Sequence, residues 1–171
     1  MVQVTVARLG LDSSTNTYVV ILRELEGQRV LPIWIGQPEA ESIAMELNHV
    51  KRERPMTHDL CRSLITGLGG ALLRVTITRV HQSTFYAELR LEGPAGAVVI
   101  DARPSDSIAI ALRLEAPIYV PELLLTDLPE AEPLTPSEGP VASELTGELT
   151  AEQLKAYLEQ LRPEDFGRFL P

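Results

Sequence analysis

Two short segments hold most of the side chains able to do acid–base or phosphate chemistry. One is Arg54-Pro55-Met56-Thr57-His58-Asp59 and the other is Arg103-Pro104-Ser105-Asp106. Each sets an arginine–proline pair ahead of a hydroxyl residue and an acid, the order expected where a helix begins. Thr57 and Ser105 read as N-caps, which contribute about 1 kcal/mol, and an acid in the first turn adds roughly 0.3–1 kcal/mol through the helix dipole. A helix start also presents free backbone N–H groups that bind phosphate, and a neighbouring arginine supplies a bidentate clamp. Arg54, Thr57, Arg103 and Ser105 are therefore the candidate phosphate-binding residues.

Histidine titrates near neutral pH and serves as a general acid or base. Of the three histidines, His49 and His81 read as solvated loop or helix-end residues, which leaves His58. Neighbours along a helix do not face each other, so Asp59 does not orient His58 directly. Its partner has to come from elsewhere, with Asp101, Asp106 and Glu39 as candidates. His58, Asp59, Asp101 and Asp106 make up the candidate catalytic set. Glu39 and Glu41 open another helix, where the plain role is dipole complementarity. The sharper role is a hard-metal site in which Glu39 and Asp101 hold Mg²⁺ or Mn²⁺ to polarise a phosphodiester. No compact motif with ligand spacing marks such a site. Cys61 is the single cysteine, which excludes an internal disulfide and a paired-cysteine zinc site, and it reads as a small core residue. There is no phosphate-loop, dinucleotide-binding or Gly-x-Ser-x-Gly signature.

These residues depend on the elements that carry them. Residues 2–9, 17–23 and 29–35 show strand patterning broken by turn clusters, implying an antiparallel three-stranded start. Gly36 and Pro38 lead into a helix with Ala40, Ile43, Ala44 and Leu47 on one face. A second helix, capped at Thr57, carries Leu60, Leu64, Ile65 and Leu68 and stops at Gly69-Gly70. Residues 71–80 and 84–91 alternate as a hairpin around His81-Gln82-Ser83, and Ala97–Ile100 is a further strand. A third helix, capped at Ser105, bears Ile108, Ala109 and Leu112, and a short strand follows at Pro117–Val120 before an apolar turn at Glu122–Leu125. The expected fold is α+β: a largely antiparallel mixed sheet packed with two to three helices, plus a C-terminal helical tail.

The 171 residues divide into a domain over 1–125, an acidic proline-rich linker over 126–149 and a helical tail over 150–171. In the tail, Leu154, Tyr157, Leu158 and Leu161 make one apolar stripe, which docks on the chain's own domain or on a partner protein. The net charge of −9 is uneven. Residues 1–125 hold 12 basic and 14 acidic side chains, against 3 and 10 in residues 126–171. Nucleic-acid binders usually carry a basic excess, so phosphate recognition here has to rest on a local cluster. No stretch is long and apolar enough for a membrane span, and the opening Met1–Gly10 lacks a secretory pattern, so a cytoplasmic location without membrane contact is expected.

Several segments together resemble the bifunctional nuclease family. They are Leu31-Pro32-Ile33-Trp34-Ile35-Gly36 with Glu39-Ala40, Arg54 to Leu60, Thr84-Phe85-Tyr86-Ala87, Ile100 to Ala109, and Ala116-Pro117-Ile118-Tyr119-Val120. They fall in family order across residues 1–125, and Pro163-Glu164-Asp165-Phe166 resembles a common family ending. The resemblance implies a mixed α+β fold, self-association into a homo-oligomer, and a DNA or RNA substrate, since the family takes its name from plant members described as cleaving both. It supplies no catalytic assignment of its own. Two functions follow. One is a metal-assisted nuclease with Arg54 and Arg103 on phosphate and His58 as acid or base. The other is a non-catalytic oligomeric binding module in which the same polar residues are architectural. Burial separates them, because catalytic groups line an open cleft and structural groups are sealed and mutually satisfied.

Overall fold

Strand alternation and helix periodicity locate nearly every element of the computed structural model, which describes residues 1–12 and 17–127. The linker and tail assignments lie outside the described residues. In chain order the elements are β1 (Val2–Asp12), β2 (Thr17–Glu24), β3 (Val30–Ile35), α1 (Gln37–Leu47), α2 (Thr57–Gly67), β4 (Ala71–His81), β5 (Thr84–Gly93), β6 (Gly96–Ala102), α3 (Pro104–Leu114), β7 (Ile118–Val120) and a 3₁₀ turn (Glu122–Leu124). Among the described residues the fold is α+β, with one seven-stranded mixed sheet and three helices.

The spatial order is β3-β2-β1-β7-β4-β5-β6, so the short β7 joins two three-stranded antiparallel meanders. Among the described residues only the β4–β7 pairing is parallel. One face of the sheet is buried beneath the helices. Val4, Val20, Leu22, Ile33, Val75, Ile77, Ala87, Leu89, Ile118 and Val120 alternate inward along their strands to form it. From above, α1 contributes Ala40 and Ile43, and α3 contributes Ile108 and Ala109, all fully buried. Truncating a side chain such as Ile108 to alanine would cost about 2–5 kcal/mol. The other face carries Thr5, Arg23, Trp34, Glu88, Arg90 and Asp101, each exposed.

The helix starts differ from expectation in one respect. Met56 and Arg103, not Thr57 and Ser105, occupy the N-cap positions of α2 and α3, and neither side chain makes a capping hydrogen bond. Thr57 is the first helical residue and Ser105 the second. The physical reason is that an acid does the satisfying: the Asp59 carboxylate reaches back to accept the Met56 N–H at 2.9 Å. At its other end α2 closes as expected on Gly69, with φ +76°. There Gly69 and Gly70 donate to the carbonyls of Thr66 and Ile65 at 3.0 and 2.8 Å.

The stripe on α2 is corrected as well. Cys61 and Ile65 pack against the core, whereas Leu60, Leu64 and Leu68 are exposed. Both sets have helical spacing, one position apart along the helix.

Candidate functional site

All three helices begin alike: an N-cap without a capping side chain, then an acid at the third helical position. These acids are Glu39 in α1, Asp59 in α2 and Asp106 in α3. The sheet brings the three starts close enough for their side chains to form one chain of polar contacts.

Arg103 lies at its exposed end. Its Nη1 meets Glu39 at 2.8 Å, and its Nε and Nη2 donate to the two oxygens of Asp106 at 2.7 and 3.0 Å. The Asp106 oxygen that accepts Nη2 also takes His58 Nε2 at 3.1 Å. The other ring nitrogen of His58 lies 2.7 Å from the hydroxyl of Ser42. A carboxylate can only accept, so Nε2 carries the proton and, in the neutral ring, Nδ1 accepts from Ser42. Ser42 links onward through its carbonyl, which accepts from Arg113 at 3.3 Å. Arg113 also donates to Asp59 at 2.6 Å and to the Ala109 carbonyl at 2.9 Å. Among the described residues no buried side-chain polar atom lacks a partner.

Burial grades this chain of contacts. The Arg113 side chain is 3% exposed and His58 12%, while Arg103 is 65% exposed. For Asp106, burial works to raise the pKa, but the hydrogen bonds from Arg103 and His58 and their charges outweigh it and hold the carboxyl below its ordinary value. Asp59 behaves alike: burial opposes ionisation, and Arg113 and the Met56 N–H overcome it. The Arg103 guanidinium is held above its ordinary value by Asp106 first and by Glu39.

Chemically, the exposed end can bind an anion. A guanidinium has five N–H donors; Asp106 and Glu39 take three of those on Arg103, and two remain for an incoming phosphate oxygen. The buried end fixes the His58 ring in position and tautomer.

Gly36, the N-cap of α1, lets the Glu39 carboxylate fold over the helix start. A Cβ there would stand 2.5 Å from Glu39 Oε2.

The other sequence candidates fall elsewhere. Ser105 is buried at 7% exposure and presents no hydroxyl to solvent. Thr57 is exposed, and its hydroxyl makes no hydrogen bond within the described residues. Arg54 is exposed and lines a hollow of about 390 Å³ at the Asp59–Arg113 end of the cluster, with Lys51, Arg52 and Met56. Asp101 pairs across from Glu88 on the helix-free face of the sheet, where successive side chains point to opposite sides. The structure therefore does not bring Asp101 to His58 or Glu39. The residues present do not fit a preformed divalent-ion site either. Among the described residues no three His, Cys, Asp or Glu side chains cluster as ligands, and both Glu39 and Asp106 are already neutralised by Arg103.

Two members escaped sequence reasoning. Ser42 falls three residues after Glu39 on the same helical face, and Arg113 four after Ala109 on the buried face of α3. An arginine in phase with Ile108-type core positions was the available signal, since a buried charge needs a partner.

The Bifunctional nuclease domain matches residues 20–131, and the chain belongs to that family. Over 167 residues it is 42% identical to Uncharacterized protein Rv1829 of Mycobacterium tuberculosis, covering 97% of this chain and 98% of that one. It is 26% identical over 138 residues to Bifunctional nuclease 1 of Oryza sativa, and 32% over 111 residues to Bifunctional nuclease 2 of Arabidopsis thaliana. The matches cover 78% and 61% of this chain but only 41% and 33% of those plant proteins. Among the described residues no helix is long and apolar enough to cross a membrane.

Proposed function

We propose that the chain is a nuclease that hydrolyses phosphodiester bonds of DNA or RNA at the start of α3. Arg103 takes a non-bridging phosphate oxygen on its two remaining N–H donors. His58 takes the proton of the attacking water on Nδ1 once the Ser42 hydroxyl turns away from it, and returns that proton to the leaving oxygen, while Asp106 holds the ring through Nε2. The observation that carries this reading is the shared oxygen. Arg103 and His58, from segments far apart in sequence, both donate to Asp106 Oδ1, which sets an anion clamp beside a proton-transfer group. Membership of the bifunctional nuclease family supports it. Any Mg²⁺ or Mn²⁺ the reaction uses would arrive with the substrate phosphates, because the carboxylates here are committed to Arg103.

A second reading rests on the burial of Arg113 and His58. A fully satisfied network joining three helices also serves as a clasp in a non-catalytic module. The two separate in an assay of nuclease-free full chain on single-stranded DNA, duplex DNA and RNA, with Mg²⁺, with Mn²⁺ and with chelator. Under the nuclease reading His58→Gln loses cleavage on the order of 10²–10⁴-fold while remaining folded. Equal cleavage by both proteins, or none by either, leaves the clasp.

A further inference from the structure

The helix-free face of the sheet carries arginines that no carboxylate holds. Register partners share a face, and successive residues along a strand alternate. Arg23 and Arg8 therefore stand on this face with their partners Thr5 and Ile21, and Arg74 and Arg90 stand on it directly opposite each other. All four are exposed, and among the described residues none of their guanidiniums makes an ion pair or a hydrogen bond. Arg29, Arg103 and Arg113, by contrast, are each gripped by a carboxylate. Of the acids on the same face, Asp12 accepts from Trp34 at 3.2 Å, and Glu88, Glu92 and Asp101 bridge none of the four.

Like charges directly opposed across a ladder are destabilising, so the Arg74–Arg90 pair is a cost that a bound anion relieves. The pair belongs to a row. Gln3, Tyr119 and Thr76 are level across β1, β7 and β4, and two residues along, Thr5 and Arg74 are level in turn. Arg23 pairs with Thr5 and Arg90 with Arg74, so three arginines lie on one line from β2 to β5, with Arg8 beside it. Four strand spacings make that line roughly 19 Å long. Tyr119 points out next to its middle, between the buried Ile118 and Val120. Further along the same face, Arg79 lies over the Tyr86 ring at 4.5 Å from its centre. The β5–β6 register ends with Ala87 opposite Ala102, and one more step brings Arg103 level with Tyr86.

We propose that this face is a platform for single-stranded nucleic acid. Phosphates follow the arginine row, bases stack on Tyr119 and on the Arg79–Tyr86 pair, and the strand reaches Arg103 round the end of β6. The proposal rests on the nuclease reading for what happens at Arg103. Guanidiniums with no carboxylate partner keep their N–H donors for phosphate oxygens. Tyrosine rings and arginine planes stack only on bases whose faces are free, which selects a single strand over a duplex. Residues 1–125 hold 12 basic and 14 acidic side chains, so phosphate recognition needs a local cluster, and the unpaired row supplies one.

The test is fluorescence anisotropy of a labelled oligothymidylate of about 12 nucleotides with the full chain, in chelator and across a salt series. The single strand is expected to bind at least about tenfold more tightly than the matching duplex. Arg74→Gln/Arg90→Gln weakens that binding at least about tenfold. It also lowers the slope of log K against log salt by roughly 1.4, two phosphate contacts at about 0.7 each. Tyr119→Leu weakens binding at least about fivefold, with each variant's fold checked by melting. Binding in chelator reads the platform without cleavage. Hydrolysis of bis(p-nitrophenyl) phosphate reads the His58–Arg103 site without the platform and is unchanged in the double arginine variant, so the two readings fail separately. Three results overturn the proposal: binding unchanged in the double arginine variant, duplex bound as tightly as single strand, or no binding at low salt, as when the six acids of residues 126–149 occupy the arginines themselves.

Discussion

The starts of α2 and α3 are written almost alike, arginine–proline then hydroxyl then acid, yet the folded chain uses them in opposite ways. At α3 the arginine is captured by its own helix: Arg103 grips Asp106 and, across the cluster, Glu39. At α2 the arginine is released. Arg54 stands exposed, and Asp59 pairs with Arg113 from α3 while capping Met56. The difference comes from what lies opposite each acid. A buried guanidinium on a neighbouring helix outcompetes an exposed local one, because it has no solvent alternative. One start is therefore a structural joint that happens to carry His58, and the other is a partly open cationic end beside it.

The sharpest way to break this comparison is to remove the joint. Arg113→Ala strips Asp59, the Ala109 carbonyl and the Ser42 carbonyl of a shared partner, and should cost about 3 kcal/mol, seen as a fall in Tm of roughly 10 °C. A loss below about 0.5 kcal/mol would mean the joint is not structural.

Acid unfolding probes both starts together. Asp59 and Asp106 have folded pKa values below their ordinary 3.8. Their stabilisation is fully present above 3.8 and is lost as pH falls through the lower folded values. Asp59→Asn should make the stability curve shallower in that acid window, and denaturant melts across it would show this.

Smaller effects refine the account. Gly36→Ala pushes the Glu39 carboxylate aside rather than the backbone, because the close atom is the end of a flexible side chain. It should change stability by less than about 1 kcal/mol and free another Arg103 donor, lowering KM for a phosphodiester. Arg54→Ala should leave stability within about 0.5 kcal/mol, since the side chain is exposed and has no partner among the described residues.

The strands were legible because one face of the sheet is covered and the other is not, which imposes alternation on β1, β2, β4 and β5. The placement of β7 between two meanders was not, since three residues carry no information about their neighbours. In α2 the pattern gave one apolar set, Leu60, Leu64, Ile65 and Leu68, and of these only Ile65 packs on the core, beside Cys61. His58, Arg103 and Asp106 were visible as types, and the long-range His58–Asp106 contact was among the pairings considered. Asp101 was grouped with them by proximity in sequence, but strand alternation turns it to the opposite face. Ser42 and Arg113 act through helical phase, which only a packed helix makes evident.

The central question is whether the two starts meet to do chemistry. The direct measurement is the single-turnover cleavage rate of His58→Gln against wild type on one RNA and one single-stranded DNA, with both proteins confirmed folded by melting. A loss of about 100-fold or more with Tm lowered by only a few degrees is the predicted result. An unchanged rate would contradict it and return His58 to the role of a clasp between helices.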